Sequence, residues 1–271
     1  MEKYGTLYVV PTPIGNLKDI TLRALEVLNE VDIIACEDTR HTNILLNHYE
    51  IKKPSFSLHK FNEQKAKDKV ISLIKQGKNV ALVSDAGTPL FSDPGAILIK
   101  EMIAQNLNYQ VLPGANAMVT ALVGCGLDCS KCAFLGFLPE QIKQRNTLLE
   151  QYKNLDATLC FYVSSHDIQK DLQSLFQNLG SRKVVVANEL TKKFEKYISG
   201  VLGELIIEEP KGEYVVLVEG VKPTSPLCDL SVEEHMGFYL NQGFSNMDAI
   251  KKVAQDRKVA KSEIYKQVVT K

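Results

Sequence analysis

No apolar run in this chain is long enough to cross a bilayer. The longest, such as Ala81-Leu82-Val83 and Tyr214-Val215-Val216-Leu217-Val218, fall far short of the roughly 20 residues a membrane helix needs. No apolar leader follows Met1-Glu2-Lys3-Tyr4-Gly5, which passes straight into a strand pattern, so the expected location is the cytoplasm. Net charge is absent as well: 32 basic residues balance 32 acidic ones, which argues against a uniformly basic surface. Neither G-x-G-x-x-G nor a Gly-Lys-Ser/Thr phosphate loop is present, which counts against a nucleotide-dependent dehydrogenase or a kinase. Of the six cysteines, Cys125, Cys129 and Cys132 have a ligand-like spacing but lack a fourth Cys or His nearby. Structural zinc normally closes four ligands, so no metal is expected. Cys36 and Cys160 fall in apolar strands and read as buried small hydrophobes. No internal repeat or low-complexity tract interrupts the chain.

What is present reads as an α/β protein. The 271 residues, 45% apolar and 24% charged, suffice for two compact domains or one large one. Strands are expected at Leu7-Val10, Asp32-Cys36, Asn79-Ser84 and Tyr109-Leu112. Between them, helices are expected over Thr21-Glu30, Asn62-Gln76 and Asp93-Gln105, with Pro94 in a first turn. Such alternation of apolar strands with helices predicts a mostly parallel sheet. After a helix at Ala115-Cys125, strands are expected at Ala133-Leu138, Thr158-Val163, Lys183-Glu189, Lys196-Ser199 and Tyr214-Glu219. Helices are expected at Gln141-Tyr152, Asp167-Asn178 and Val201-Glu208. The hairpin spacing of Lys183-Glu189 and Phe194-Ser199 makes this second sheet mixed. Val221-Lys222-Pro223-Thr224-Ser225-Pro226 is a linker by composition, followed only by helical patterns with Ser245 and Ser262 as candidate caps. The expected division is therefore 1–115, 116–222 and a small helical domain over 223–271.

Three glycine- and proline-studded loops follow apolar strands: Pro11-Thr12-Pro13-Ile14-Gly15-Asn16, Ser84 to Gly95, and Leu112-Pro113-Gly114-Ala115-Asn116-Ala117. Glycine admits close backbone approach and proline sharpens turns, so loops of this kind on one edge describe a ligand cleft. The third places free amides and the Asn116 side chain at a helix start. Glu37-Asp38-Thr39-Arg40-His41-Thr42 sets four ionisable groups just past a strand, where α/β folds hold reactive side chains, or else it is a helix cap with a flanking ion pair. His59, Lys60, Asn62 and Glu63 form a similar group, while His48, His166 and His235 read as structural. Two stripes are locally basic: Lys52 to Lys78 carries eight Lys against Glu63 and Asp68, and Lys251 to Lys271 carries seven basic residues against Asp256 and Glu263. Stripes like these hold a polyanion on a neutral protein, or else they are solvated helix faces.

Several blocks in order resemble the bacterial 16S rRNA (cytidine-2'-O)-methyltransferase family, within the tetrapyrrole methylase superfamily. They are Val10 to Leu25, Ala35-Cys36-Glu37-Asp38-Thr39-Arg40-His41-Thr42, Ala81 to Pro89, Gly136-Phe137-Leu138-Pro139, Asn188-Glu189-Leu190-Thr191-Lys192 and Pro210 to Val215. The resemblance implies two α/β domains of the tetrapyrrole methylase type with the ligand cleft between them, plus a small helical C-terminal domain. It also implies a homodimer that uses S-adenosyl-L-methionine to methylate a cytidine 2'-hydroxyl in the decoding region of 16S rRNA, free or within the 30S subunit.

Carried over by position, the donor lies against Pro13, Ala86, Gly87, Thr88, Phe91, Asn116, Ala117, Tyr162, Leu190 and Gly212. Glu37, Asp38, His41 and Asp85 are the candidate proton acceptors. Arg40, Lys60, Lys65, Lys67, Lys69, Lys251, Lys252 and Lys258 are the expected RNA contacts. The chain departs from the family pattern at Ala115-Asn116, where a proline and a serine are usual, and at Val163 and Ser165, where a Glu and a Pro are usual. The family's His-Glu-His-Asn-Glu type segment stands here as Leu58-His59-Lys60-Phe61-Asn62-Glu63. Two other readings are a corrinoid or porphyrin methylase of the same superfamily, against which the basic stripes and helical tail speak, and a non-catalytic RNA-binding assembly factor.

Overall fold

The computed structural model describes residues 4–221, 226–257 and 259–269. Lys258 and residues 222–225 of the expected linker lie outside the described residues. The chain divides into two compact units, Met1–Glu150 with Ala157–Glu219, and Gln151–Asp156 with Gly220–Lys271.

In the larger unit the first sheet consists of β1 (Thr6–Val9), β2 (Ile33–Cys36), β3 (Ser55–Ser57), β4 (Val80–Val83) and β5 (Asn108–Val111), in the order β3-β2-β4-β1-β5. Every pairing is parallel, as the apolar strands predicted. All four residues of central β4 are buried, because helices cover both faces. One face packs Leu7, Ala35 and Leu82 against Val70 and Ile74 of α3 (Glu63–Lys75) and Leu98 and Met102 of α4 (Ala96–Ala104). The other packs Ile34, Cys36, Ala81 and Val83 against Ala24, Val27 and Leu28 of α1 (Leu22–Glu30) and Leu46 of α2 (Thr39–His48). Thr21 caps α1 by accepting from the Ala24 N–H at 3.1 Å.

The expected elements shift in three places here, the first being the short edge strand β3, which is not one of the four expected strands. The charged cluster after β2 opens helix α2 in the second of its two expected forms, a helix cap with a flanking ion pair: N-cap Asp38 accepts from the Arg40 N–H at 2.8 Å, and its carboxylate pairs with the Arg40 guanidinium. Helix α4 begins at Ala96 rather than Asp93, because Leu90, Ser92 and Gly95 hold positive φ values of 72°, 76° and 121°.

α5 (Ala117–Gly124) leads to the second sheet: β6 (Cys132–Phe137), β7 (Thr158–Ser164), β8 (Lys183–Asn188), β9 (Lys196–Val201) and β10 (Glu213–Val218). The order is β6-β7-β10-β8-β9, with β6 parallel to β7 and the remaining pairs antiparallel. The sheet is mixed and β8–β9 is the expected hairpin. The helix expected at Val201–Glu208 is absent: β9 runs to Val201, and Gly203 at φ 95° turns the chain. α6 (Ile142–Tyr152) and α7 (Ile168–Leu179) are joined by a buried ion pair, Arg145 Nη1 to Asp171 Oδ1 at 3.0 Å.

The smaller unit contains α8 (Val232–Asn241), α9 (Asn246–Arg257) and α10 (Lys261–Val269). Ser231 and Glu234 form a capping box on α8. Ser245 accepts from the Asp248 N–H at 3.2 Å, as a cap should, whereas Ser262 lies inside α10. Met236, Ile250, Val253 and Ile264 make the small core. Beside it, His235 is fully buried and meets Asp256 at 3.1 Å, and the Tyr239 hydroxyl donates to the same Asp256 carboxylate oxygen at 2.5 Å.

Candidate active site

Because β1, β4 and β5 are parallel, the loops that follow them leave from one carboxyl edge. Backbone hydrogen bonds stitch these loops together. Thr12 N–H donates to Gly87 O at 2.9 Å and Gly87 N–H donates to Thr12 O at 3.0 Å. Thr88 Oγ1 donates to Ala115 O at 3.0 Å, joining the second loop to the third. Gly114 permits the third loop to approach the first: a Cβ there would stand 2.6 Å from Pro11 Cβ. The first loop also reaches the second sheet's side, where Asn16 N–H donates to Thr191 Oγ1 at 3.0 Å.

These loops and the ends of β7, β8 and β10 enclose a cavity of about 340 Å³. Its wall is partly aromatic: Phe91 stacks on Phe134 with centroids 4.4 Å apart, and Phe134 meets Tyr162 edge-on at 4.8 Å. Asn116 lines it and caps α5, accepting from the Val119 N–H at 3.1 Å. Positive φ values at Leu90, Ser92, Glu189 and Thr191, all non-glycine, cluster around this space. Strain of that kind persists where surrounding structure enforces it, commonly at ligand sites.

Carboxylates gather at one side. Asp85 and Asp93 both line the cavity. Asp85 Oδ1 accepts from the Asp38 N–H at 3.1 Å. Burial first, then the charges of Glu37 and Asp85, push Asp93 up to about 6. Glu37 is raised by burial and by Asp85, with His59 acting in the opposite sense. Asp38 falls to about 2, because Arg40 hydrogen-bonds its carboxylate. Nearby, the buried His59 Nδ1 has no hydrogen-bond partner among the described residues.

Of the residues expected to hold the donor, Ala86, Gly87, Thr88, Phe91, Asn116, Ala117, Tyr162 and Leu190 line the cavity. Pro13 instead lines a smaller adjoining cleft of about 60 Å³ together with His41, and Asp85 borders both spaces. Gly212, at φ 75°, flanks the cavity, and a Cβ on it would fall 2.0 Å from Glu189 Oε1. Glu37 and Asp38 line neither space.

The basic residues differ among themselves. Arg40 is exposed, with its guanidinium 2.6 Å from Asp38. Lys60 and Lys65 are exposed, and Lys69 lies 3.8 Å above the Phe56 ring. Lys67 is largely buried and faces Asp68 at 3.3 Å and Glu101 at 3.7 Å. Lys251 pairs with Asp248 at 3.0 Å and Lys252 is exposed.

Asp93 and the Glu189–Lys192 ion pair (2.9 Å) line the cavity without having been singled out from the sequence. Asp93 belongs to the loop from Ser84 to Gly95, yet only the fold reveals its burial beside two other carboxylates. Among the described residues no group of three or more His, Cys, Asp or Glu is placed to hold a metal. Cys125 and Cys129 sit with their sulfurs 3.4 Å apart.

A profile of the family described as Tetrapyrrole (Corrin/Porphyrin) Methylases matches residues 6–206. The ribosomal RNA small subunit methyltransferase I of Bacillus subtilis (strain 168) is 42% identical, over 96% of this chain and 93% of its own. Among solved structures, the methyltransferase CobJ superposes with a TM-score of 0.64 at 17% identity, covering 82% of this chain and 98% of that one. Uroporphyrin-III C-methyl transferase from Thermus thermophilus, complexed with S-adenyl homocysteine, superposes with a TM-score of 0.56 at 15% identity, covering 79% of this chain and 97% of that one. The expected fold class is thereby met: two α/β sheets of the tetrapyrrole methylase type, with helices at the C-terminus.

Proposed function

This chain belongs to the tetrapyrrole methylase family, and from that premise we propose that it methylates the ribose 2'-hydroxyl of a cytidine in 16S rRNA, with S-adenosyl-L-methionine as donor. The observation that carries the chemistry is the convergence of three stitched loops on one partly aromatic cavity. Its volume of about 340 Å³ lies in the range of small-molecule sites. The choice of RNA over a tetrapyrrole follows the relative at 42% identity rather than structural neighbours that share the fold at 17% and 15%.

S-adenosyl-L-methionine supplies a methyl group already activated on a sulfonium. The residues around it have the character such a ligand needs. Strand-end backbone at Ala86 and Thr88 borders the space for an adenosine, Gly87 holds that turn through its bridge to Thr12, the aromatic surface of Phe91 and Tyr162 suits a cation, and Asn116 and Ala117 open a helix N-terminus. Leu190 closes the opposite side, while Pro13 and Gly212 shape the flanking turns.

The protein then has two tasks: to align the ribose in line with the donor and to remove the hydroxyl proton. Asp85 and Asp93 suit the second, because both border the cavity. Among the other candidates, His41 borders the adjoining cleft, and Glu37 and Asp38 tune or hold the cavity carboxylates. Arg40, Lys60, Lys65, Lys69, Lys251 and Lys252 would meet phosphates; Lys67 is committed to its acidic partners.

A homodimer belongs to the same reading. Edge strand β5 exposes Tyr109 and Val111, and the following α5 exposes Val119 and Val123, an apolar surface that a second copy would cover. An rRNA substrate puts the reaction in the cytoplasm, and among the described residues no helix is long and apolar enough to span a membrane.

The test is transfer of labelled methyl from the donor to unmethylated 30S particles and to free 16S rRNA, with the product mapped by primer extension. One 2'-O-methylated cytidine in the decoding region is expected. Labelling of a porphyrin or corrinoid instead, or of neither substrate, overturns the reading.

A further inference from the structure

The turn after β3 carries an aromatic ring that the donor cavity does not use. Phe61 is 95% exposed, the most exposed large apolar side chain among the described residues. Single exposed apolar side chains are common and need no explanation by themselves. Three features set this one apart.

Its support is rigid. Asn62 Oδ1 accepts from the His59 N–H at 2.9 Å, Asn62 Nδ2 donates to Ser57 O at 3.0 Å, and the Asn62 N–H donates to His59 O at 3.0 Å. Leu58, just before the turn, is buried in the core. The ring is thus held out on a braced turn.

Exposed cations stand close to it in sequence: Lys60 immediately before, and Lys65 four residues on, past Asn62, Glu63 and Gln64 in α3. Its location is also specific. β3 is parallel to β2, so the turn opens on the same carboxyl edge as the cavity loops. Glu63 Oε1 accepts from the Gly95 N–H at 2.7 Å, tying this turn to the end of the loop that contains Asp85 and Asp93.

An enzyme that modifies one ribose within folded RNA has to unstack and hold the strand around it. An exposed aromatic face with cations close by does this without regard to sequence, since every base has a π-face. We propose that Phe61 is the platform on which a base flanking the modified nucleotide stacks, with Lys60 and Lys65 on the adjoining phosphates; this rests on the reading above that the substrate is RNA. The ligand is a single-stranded RNA segment, and the site is separate from the donor cavity.

The chain contains no tryptophan, so F61W introduces a single indole reporter. Titrated with a short single-stranded RNA, its fluorescence is expected to be quenched saturably, and far less by a duplex of the same sequence. In methyl transfer, F61A is expected to raise the KM for RNA about tenfold or more, leaving kcat and donor affinity unchanged, with F61Y and F61W restoring it. An unchanged KM in F61A, or quenching equal for duplex and single strand, overturns the assignment. Absence of methyl transfer by the native chain would instead sink the reading of function, while the F61W titration would still report on stacking.

Discussion

Thr12 and Gly87 exchange a pair of backbone hydrogen bonds, 2.9 Å and 3.0 Å long, that locks the loop after β1 to the loop after β4. The bridge requires Gly87 at φ 79°, and a Cβ there would approach Ile14 Cγ2 at 3.1 Å. A side chain at that backbone geometry costs about 1–2 kcal/mol, applied where the donor is to bind. Gly87→Ala is therefore expected to weaken S-adenosyl-L-methionine binding about tenfold in calorimetry. Normal affinity in G87A would show that the bridge does not shape the donor site.

Asp93 makes a pH-dependent contribution. Its folded-state value of about 6 lies above the unfolded value, near 3.9 for a free Asp. Between roughly pH 4 and 6 the folded form keeps a proton that the unfolded form has lost, so stability falls as pH rises through that window. Asp93→Asn is expected to flatten the dependence of Tm on pH there. If Asp93 accepts the hydroxyl proton, native methyl transfer rises as pH passes about 6, and D93N loses that limb together with most of kcat. A D93N enzyme with the native pH profile would exclude the role.

The lysines of α3 should separate by burial. Charge reversal at Lys65 or Lys69 is expected to weaken rRNA binding and to shallow its salt dependence by about one unit of slope for each phosphate no longer neutralised. Reversal at Lys67, which faces Asp68 and Glu101, is expected to lower Tm instead. Filter binding across a salt series, beside thermal melts, tells the two apart. The Lys251 and Lys252 pair is tested in the same series.

Arg145 and Asp171 form an ion pair with side chains only 5% and 7% exposed. Removing one partner strands a buried charge, which costs about 3–5 kcal/mol. Arg145→Met should destabilise by that order, and R145M with Asp171→Leu together should recover much of the loss. Denaturant melts of the three variants measure it, and an R145M protein as stable as the native one would refute the argument.

In the helical unit, Asp256 accepts from the Tyr239 hydroxyl at 2.5 Å and contacts fully buried His235 at 3.1 Å. Asp256→Ala leaves both groups without that acceptor, at about 1–3 kcal/mol each. Loss of helix signal at lower temperature is expected, with donor affinity unchanged because the donor cavity lies in the other unit. Reduced donor affinity in D256A would contradict this.

Much of this architecture was readable in the chain itself. The buried residues of β4 and the Val70, Ile71 and Ile74 stripe of α3 follow the local apolar pattern, because strand and helix periods are properties of neighbouring residues. The glycine–proline loops were legible for the same reason, since their backbone geometry demands those residue types. At the start of α2 the sequence leaves two readings open, because Asp38 and Arg40 resemble a reactive cluster as much as a capped helix start. The Val201–Glu208 helix failed because Gly203 turns the chain there.

Local chemistry along the chain thus determined every strand but the short edge strand β3, most of the helices and the three loops that surround the cavity. Tertiary structure alone decided which side chains meet: that Asp93 is buried beside Asp85 and Glu37, that Lys67 is engaged while Lys65 is exposed, and that Phe61 projects from a braced turn. Burial and electrostatic proximity depend on residues tens of positions apart, and no local pattern encodes those distances.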